Sequence, residues 1–178
     1  MLRIPRIAFL ATTVFLLTGH PGNSSDLLVS SNQVFSIWKN INKTLVVTAA
    51  SESMDDDWTE KIKSMPPLTF EKTNPKDVLA RIVSVREKVD KVLSTNDEPP
   101  VKLLAEWNGK DAIHNTAYLN SGLILDALAL HIVALDPISL ASVYYSWPAT
   151  KEKTPNDTMA VIDLADRRLD EIIKEQGL

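Results

Sequence analysis

Apolar residues recur along the chain at spacings of three and four positions, which is the pattern of amphipathic helices. Four segments show it, and they predict helices over residues 26–51, 75–93, 116–135 and 155–176. No segment alternates apolar with polar residues for long, as a half-buried strand would. The pattern therefore predicts an all-α fold, with one domain over residues 26–177.

Two of the four predicted helices begin with the same sequence pattern and have apolar residues at the same positions along one side, which we call the stripe. Both begin with Pro and carry Asp two positions later, at Pro75 and Asp77 and at Pro155 and Asp157. Pro and an acidic residue are both favourable in the first turn of a helix. The apolar positions of the two stripes then coincide at Leu79 and Met159, Ile82 and Ile162, Val85 and Ala165, Val89 and Leu169, Val92 and Ile172, and Leu93 and Ile173.

The other two helices fit the same register, so the four copies are spaced 44, 39 and 41 residues apart. One amphipathic helix cannot bury its own stripe, so the copies are expected to pack on one another. We therefore predict a four-helix bundle built from a repeat of roughly 40 residues. The alternative is that unrelated amphipathic helices align at this spacing by chance. The register leaves Lys88 on the exposed side of its helix.

The connections between these helices are long for a bundle and contain Pro. The sequence of residues 57–60 resembles a capping box and predicts a short helix near Ile62. Residues 101–107 and 138–144 are candidates for two more short helices. We expect recognition to involve these connecting segments.

The first residues have the pattern of a secretory signal peptide. Arg3 and Arg6 precede an apolar run over residues 7–18, which is too short to cross a bilayer. We predict a signal peptide over residues 1–19, or to Gly22, and no permanent membrane span. An uncleaved signal-anchor is the alternative.

The cysteine count indicates the cellular compartment of the protein, and the charge pattern indicates which classes of partner it can bind. The chain carries a net charge of −4, and it has no Cys. An exported chain without disulfides fits a periplasm better than an animal extracellular space, so we expect a periplasmic or secreted protein. Lys and Arg are interleaved with acidic residues, which argues against nucleic acid as a partner.

The residues that carry most enzymatic chemistry are sparse. There are three His, no Cys and five Gly, and no motif of a metal site, a phosphate loop or a serine nucleophile occurs. His114 is expected in a loop or cap before the third helix, and Asp126 is on a different helix face from His131. The sequence therefore predicts no catalytic residues, no metal and no cofactor, although a hydrolase using Glu106, Asp111 and His114 is a remaining alternative.

The register places His131 on the inward stripe of the third helix. It is either a hydrogen-bonded core histidine or a contact for a ligand or a proton. A small-ligand binder would have its pocket between the helices, near His131, Tyr118 and Trp38. This is the alternative function that the sequence suggests.

Two other sets of residues are candidates for binding a partner. Tyr144, Tyr145 and Trp147 either cover the end of the bundle or form a binding patch. Leu130 belongs to a second apolar strip on the third helix, with Leu123 and Val133. That strip is covered by residues 101–107 and 138–147, or it contacts a second copy or another protein. We therefore expect a non-enzymatic accessory, sensor-like or protein-interaction module.

Overall fold

The computed structural model describes residues 29–52, 55–105, 112–135, 149 and 151–178. These residues form five helices and no strand, so the prediction of an all-α fold is confirmed. The helices are α1 (Ser31–Glu52), α2 (Asp56–Ser64), α3 (Pro75–Ser94), α4 (Ala112–Leu135) and α5 (Pro155–Gln176).

The ends of α3 and α5 follow the signals in the sequence. Asn74 and Thr154 are the N-caps, and each forms a capping box with the Asp three residues later. Pro75 and Pro155 occupy the first helical position, where the missing N–H removes no hydrogen bond. Gly177 ends α5 in the left-handed conformation, with φ of 71°.

Three of the predicted helix starts are wrong. Helix α1 begins at Ser31, not at residue 26, because the backbone N–H of Ser30 donates to the side chain of Gln33 and closes the first turn. Helix α2 is capped by Asp55, which accepts from the N–H groups of residues 57 and 58. Helix α4 begins at Ala112, four residues early, so His114 lies in its first turn and not in a loop.

The candidate helix over residues 101–107 is not helical in its described part, residues 101–105. Two of its backbone N–H groups donate to side chains and not to helical carbonyls. The N–H of Val101 donates to Asp90, and the N–H of Leu104 donates to Asn120. The candidate helix over 138–144 lies outside the described residues.

The four long helices all run in the same direction. At one end, their first turns surround a single small cavity, through Ser31 of α1, Pro75 of α3, Ile113 of α4 and Pro155 of α5. At the other end, His131 of α4 contacts Glu52 of α1 and Glu98 just after α3. Gln176, the last residue of α5, donates to Glu52. The chain must therefore return over a helix length, about 30 Å, between consecutive long helices, which accounts for the long connections.

Helices α1 and α3 each pack against both α4 and α5. The core between them contains the coinciding apolar positions of α3 and α5. Ile82, Ile162, Val89 and Leu169 are fully buried, as are Val85, Ala165, Val92 and Ile172.

Ion pairs join the outer edges of α3 and α5. Arg81 contacts Asp163 and Asp166, and Lys88 contacts Asp166 and Asp170. The expectation that Lys88 is a free surface residue is therefore wrong, because its side chain is 25% exposed and crosses to α5. Burial opposes the charge of Lys88, but its bonds to Asp166 and Asp170 raise its pKa above the ordinary value.

Arg168 of α5 links α2 to α1 and α5 through hydrogen bonds. Its buried guanidinium donates to the carbonyls of Ile62 and Lys63 at the end of α2 and to the carbonyl of Asn42 in α1. A cation is favourable at a helix C-terminus, where the last carbonyls lack partners. Burial, and then the charge of Arg167, lower the pKa of Arg168.

Candidate functional site

Helix α4 has a solvent-facing apolar side, which we call the outer face of α4. At 100° per residue, its members lie within about 120° of one another around the helix. They are Leu119, Gly122, Leu123, Asp126, Ala129, Leu130 and Val133. Leu130 is 68% exposed, and Leu119 and Val133 are more than a third exposed.

Charge distinguishes this face from the exposed sides of the other long helices. The exposed residues of α1 include Lys39 and Lys43, and those of α5 are Asp170, Lys174 and Glu175. Helix α3 likewise exposes acidic and basic side chains along its length. On α4, Asp126 is the only charged residue among the exposed positions. An exposed apolar face of this kind is typical of a contact surface.

A groove borders this face. It has a volume of about 350 Å³, and its described lining includes Ile37, Leu104, Tyr118 and Leu119 together with Gly122 and Asp126. A second groove, of about 230 Å³, shares Tyr118 and Leu119 and extends to Val29 and Asn115. The two grooves thus adjoin along α4.

Asp126 stands among apolar side chains at the middle of the outer face. Desolvation by these neighbours disfavours its charged form and raises the pKa of its carboxyl above the ordinary value. The face therefore carries one acid that is easier to neutralise than a surface aspartate.

Gly122 also lies on this face, inside a helix, where Gly is less favourable than Ala by about 1 kcal/mol. A Cβ built at Gly122 would meet nothing within 4 Å. Packing within the described part of the chain therefore does not require a glycine at position 122, because a larger side chain would fit there.

A second polar feature lies at the C-terminal ends of the long helices, where the ring of His131 is fully buried between two partly buried glutamates. The Nε2 atom of His131 is 2.9 Å from Oε1 of Glu52, and its Nδ1 atom is 3.0 Å from Oε1 of Glu98. Both ring nitrogens can donate to carboxylates only in the doubly protonated imidazolium. We call these residues and Gln176 the His131 cluster.

The protonation of His131 follows from two opposing effects. Burial disfavours the charged ring and would lower the pKa, but the hydrogen bonds and charges of Glu52 and Glu98 outweigh it. The pKa of His131 is therefore raised above its ordinary value. The carbonyl ends of the surrounding helices also favour a positive charge here. The cluster ties the ends of α1, α4 and α5 and the turn after α3 together.

The three residues predicted to surround a ligand do not line one pocket in the described structure. Trp38 is fully buried, and its Nε1 atom donates to Ser121 at 2.8 Å. Tyr118 lines both grooves, whereas His131 lies 13 residues further along α4, about 20 Å away. Of the predicted partner-binding residues, Leu130 is exposed, and Tyr144, Tyr145 and Trp147 lie outside the described residues.

The geometry of the His131 cluster does not suit a metal. Glu52 and Glu98 bind opposite nitrogens of one ring, so the three side chains do not converge on a point. Among the residues that the structure describes, no group of three or more His, Asp or Glu side chains is placed to hold a metal ion.

Sequence reasoning missed Glu52, Glu98 and Arg168. Arg168 had a usable signal, because it is a charged residue beside Ala165 and Leu169 in the buried stripe of α5. The two glutamates had none, since each is an ordinary polar residue at the end of a helix.

Comparisons with protein-family models, with curated proteins and with solved structures found no match to this chain. In the described part of the chain, α4 is the one helix whose length and composition would suffice to cross a membrane. It packs against α1 and α3.

Proposed function

We propose that this chain is an exported, non-enzymatic protein-interaction module that binds a helix of a protein partner along the outer face of α4. The observation that carries this proposal is the exposure of Leu130, Leu119 and Val133 on a helix side with one charge, Asp126. A large exposed apolar patch is unfavourable in water unless a partner covers it.

The architecture that we propose for the module is a four-helix bundle built from a repeat of roughly 40 residues. Two observations support it. Four of the six coinciding stripe positions are fully buried in both α3 and α5. The long helices also share one direction, so that one helix and one returning connection form a natural repeating unit.

A pair of neighbouring leucines tests whether the outer face is free. We expect Leu130→Glu to fold with a free energy of unfolding within about 0.5 kcal/mol of the wild type, because the new charge stays in water. Leu128→Glu is the matched control, and it should unfold the protein because Leu128 is fully buried. Urea unfolding of both variants measures this. Equal destabilisation by both would show that the outer face is internal core.

Export is the second part of the proposal. The basic start and the apolar run over residues 7–18 support it. Intact-mass analysis of protein from the exported fraction should show loss of residues 1–19, or of residues up to Gly22. Recovery of all 178 residues from a membrane fraction would contradict it.

The groove beside Tyr118 favours a second candidate function, the binding of a small apolar molecule. Its volume lies within the range of about 300–1,000 Å³ found for ligand sites. An apolar fluorescent dye is a suitable probe. If the groove is a ligand site, Tyr118→Ala should weaken dye binding while Leu130→Glu leaves it unchanged.

A further inference from the structure

Residues 98–105 run along α4 in the reverse direction, and we call them the 98–105 strap. The first residue, Glu98, contacts His131, and Leu104 contacts Asn120, which lies earlier on α4. These two positions on α4 are about 17 Å apart, close to the roughly 20 Å that six extended residues can span. The strap is therefore nearly extended between its two contacts with α4.

The two ends of the strap are held by different chemistry. At Leu104, the side-chain amide of Asn120 accepts from the backbone N–H at 2.8 Å and donates to the carbonyl, and an amide does not titrate. At Glu98, a carboxylate oxygen lies 3.0 Å from Nδ1 of His131. The Glu98 end can therefore respond to the protonation of the ring, whereas the Leu104 end cannot.

Loss of one proton forces His131 to give up one of its two glutamates. A neutral ring has one N–H, so one glutamate faces a lone pair and is repelled. Glu52 also accepts from Gln176, and its side chain is 12% exposed, against 20% for Glu98. Releasing Glu98 toward water costs less than leaving the more buried carboxylate unpaired. The remaining proton should therefore stay on Nε2, facing Glu52.

The turn that presents Glu98 can change shape readily. Asp97 has a φ of 56°, in the left-handed region, which is less favourable for a residue with a Cβ than for Gly. The two residues after Glu98 are both Pro, so they have no N–H with which to hold the strap. The next contact is made by the N–H of Val101, which donates to Asp90 at 2.8 Å. The side chain of Glu98 is thus the contact that fixes the strap between the turn and Val101.

We propose that His131, Glu98 and the 98–105 strap form a pH-sensitive latch, in which loss of one proton from the ring releases Glu98 and opens residues 97–101 while Glu52 stays bound. The pKa of His131 is raised, so the latch is closed below the ordinary value of about 6.5 and opens as the pH rises through the raised pKa. The latch does not depend on what binds the outer face of α4, so its failure would leave the proposed function standing.

Two charged side chains act on the ring of His131 in the described structure, and both are glutamates. Helix α1 presents Glu52, the turn after α3 presents Glu98, and α5 presents the uncharged amide of Gln176. On α4 itself, Asp126 points to a different side of the helix. Further charged residues at these helix ends are exposed to water: Lys91, Asp97, Lys174 and Glu175. Titration of the ring is therefore the event that changes the latch.

Nitrogen-15 NMR of the imidazole ring tests which proton leaves, because the shift of each ring nitrogen shows whether it carries a proton. We expect Nδ1 of His131 to lose its proton as the pH rises and Nε2 to keep its own. Loss from Nε2 would overturn the release of Glu98, since the ring would still donate to that residue. A ring that stays doubly protonated until the protein unfolds would overturn the latch itself.

Amide hydrogen exchange tests the opening, with each rate divided by that of the unfolded chain at the same pH. The N–H of Glu98 donates to Leu93, and that of Val101 donates to Asp90. We expect the protection of both to fall by about tenfold or more through the titration of the ring, because a hydrogen bond to a charged group is lost. Leu104 is the internal control and should stay protected. Equal loss at all three amides, or loss at none, would overturn a local latch.

Two substitutions of Glu98 provide matched variants. The new amide of Glu98→Gln can accept from a protonated ring nitrogen and donate to an unprotonated one, so Val101 should stay protected at every pH. Glu98→Ala cannot contact the ring, so Val101 should exchange fast at every pH. A Glu98→Gln variant that loses protection with rising pH as the wild type does, or a Glu98→Ala variant that is as protected as the wild type in mild acid, would show that Glu98 does not hold the strap.

Discussion

Leu128 and Leu130 lie two positions apart on α4, yet Leu128 is fully buried and Leu130 is 68% exposed. Residues two positions apart on a helix are rotated by about 200° from each other, so the two leucines point to opposite sides of α4. Leu128 packs in the core, and Leu130 faces solvent. Helix α4 thus has two apolar sides, of which one is buried in the core and the other leaves Leu119, Leu130 and Val133 more than a third exposed.

The buried stripes of α3 and α5 predict large effects of core truncation. We expect Ile82→Ala and Ile162→Ala each to lower the free energy of unfolding by about 2–5 kcal/mol, because both residues are fully buried. Lys88 is unsuitable as a control, since it bridges to α5. Glu87→Ala is the better control and should change stability by about 0.5 kcal/mol or less. Costs below about 0.5 kcal/mol for both isoleucines would contradict the stripe.

The hydrogen bonds of Arg168 predict that its substitution destabilises α2 most. Arg168→Met keeps most of the side-chain volume but removes the donors to Ile62, Lys63 and Asn42, and it should cost about 3 kcal/mol. Amide hydrogen exchange in α2 should rise most. Arg167→Met is the matched control, because it removes a partly exposed ion pair with Asp163 and an exposed hydrogen bond to the carbonyl of Pro66, and it should cost about 1 kcal/mol or less. An equal cost for the two variants would argue against the anchoring role of Arg168.

The His131 cluster predicts how stability varies with pH. Because the pKa of His131 is raised in the folded protein, its contribution is fully present below the unfolded value of about 6.5. That contribution is lost as the pH rises through the raised pKa. We expect the free energy of unfolding of the wild type to fall over this range, and urea unfolding at a series of pH values measures it.

Two histidine variants identify the group responsible. His131→Gln cannot be charged, so it should flatten this alkaline fall and cost about 2 kcal/mol in mild acid, where it leaves two partly buried carboxylates without their cation. His114→Gln, in the first turn of α4, should keep the wild-type slope. A slope that survives in His131→Gln would assign the pH dependence to other groups.

The helices could be predicted from sequence because their signals are local. Pro75, Pro155 and Gly177 mark helix ends through backbone geometry alone, and the predicted bounds of α5 are those observed. The direction of the helices could not be predicted, because an amphipathic stripe looks the same whether its neighbour runs parallel or antiparallel.

The His131 cluster could not be predicted for a different reason. His131 is 79 residues from Glu52 and 33 from Glu98, and nothing in that spacing marks a contact. The outer face of α4 was predictable only in part. Its residues could be placed on one helix side, but which apolar side of α4 is buried depends on where α1 and α3 pack.

Thiol labelling of single cysteines tests the central claim most directly, because the natural chain has no Cys. The account predicts that Leu130→Cys in the folded protein reacts with a thiol reagent nearly as fast as it does in urea, because Leu130 faces solvent. Leu128→Cys, in the core, should react far more slowly until the protein unfolds. Equal protection of the two cysteines in the folded protein would contradict the assignment of the outer face of α4 as a free contact surface.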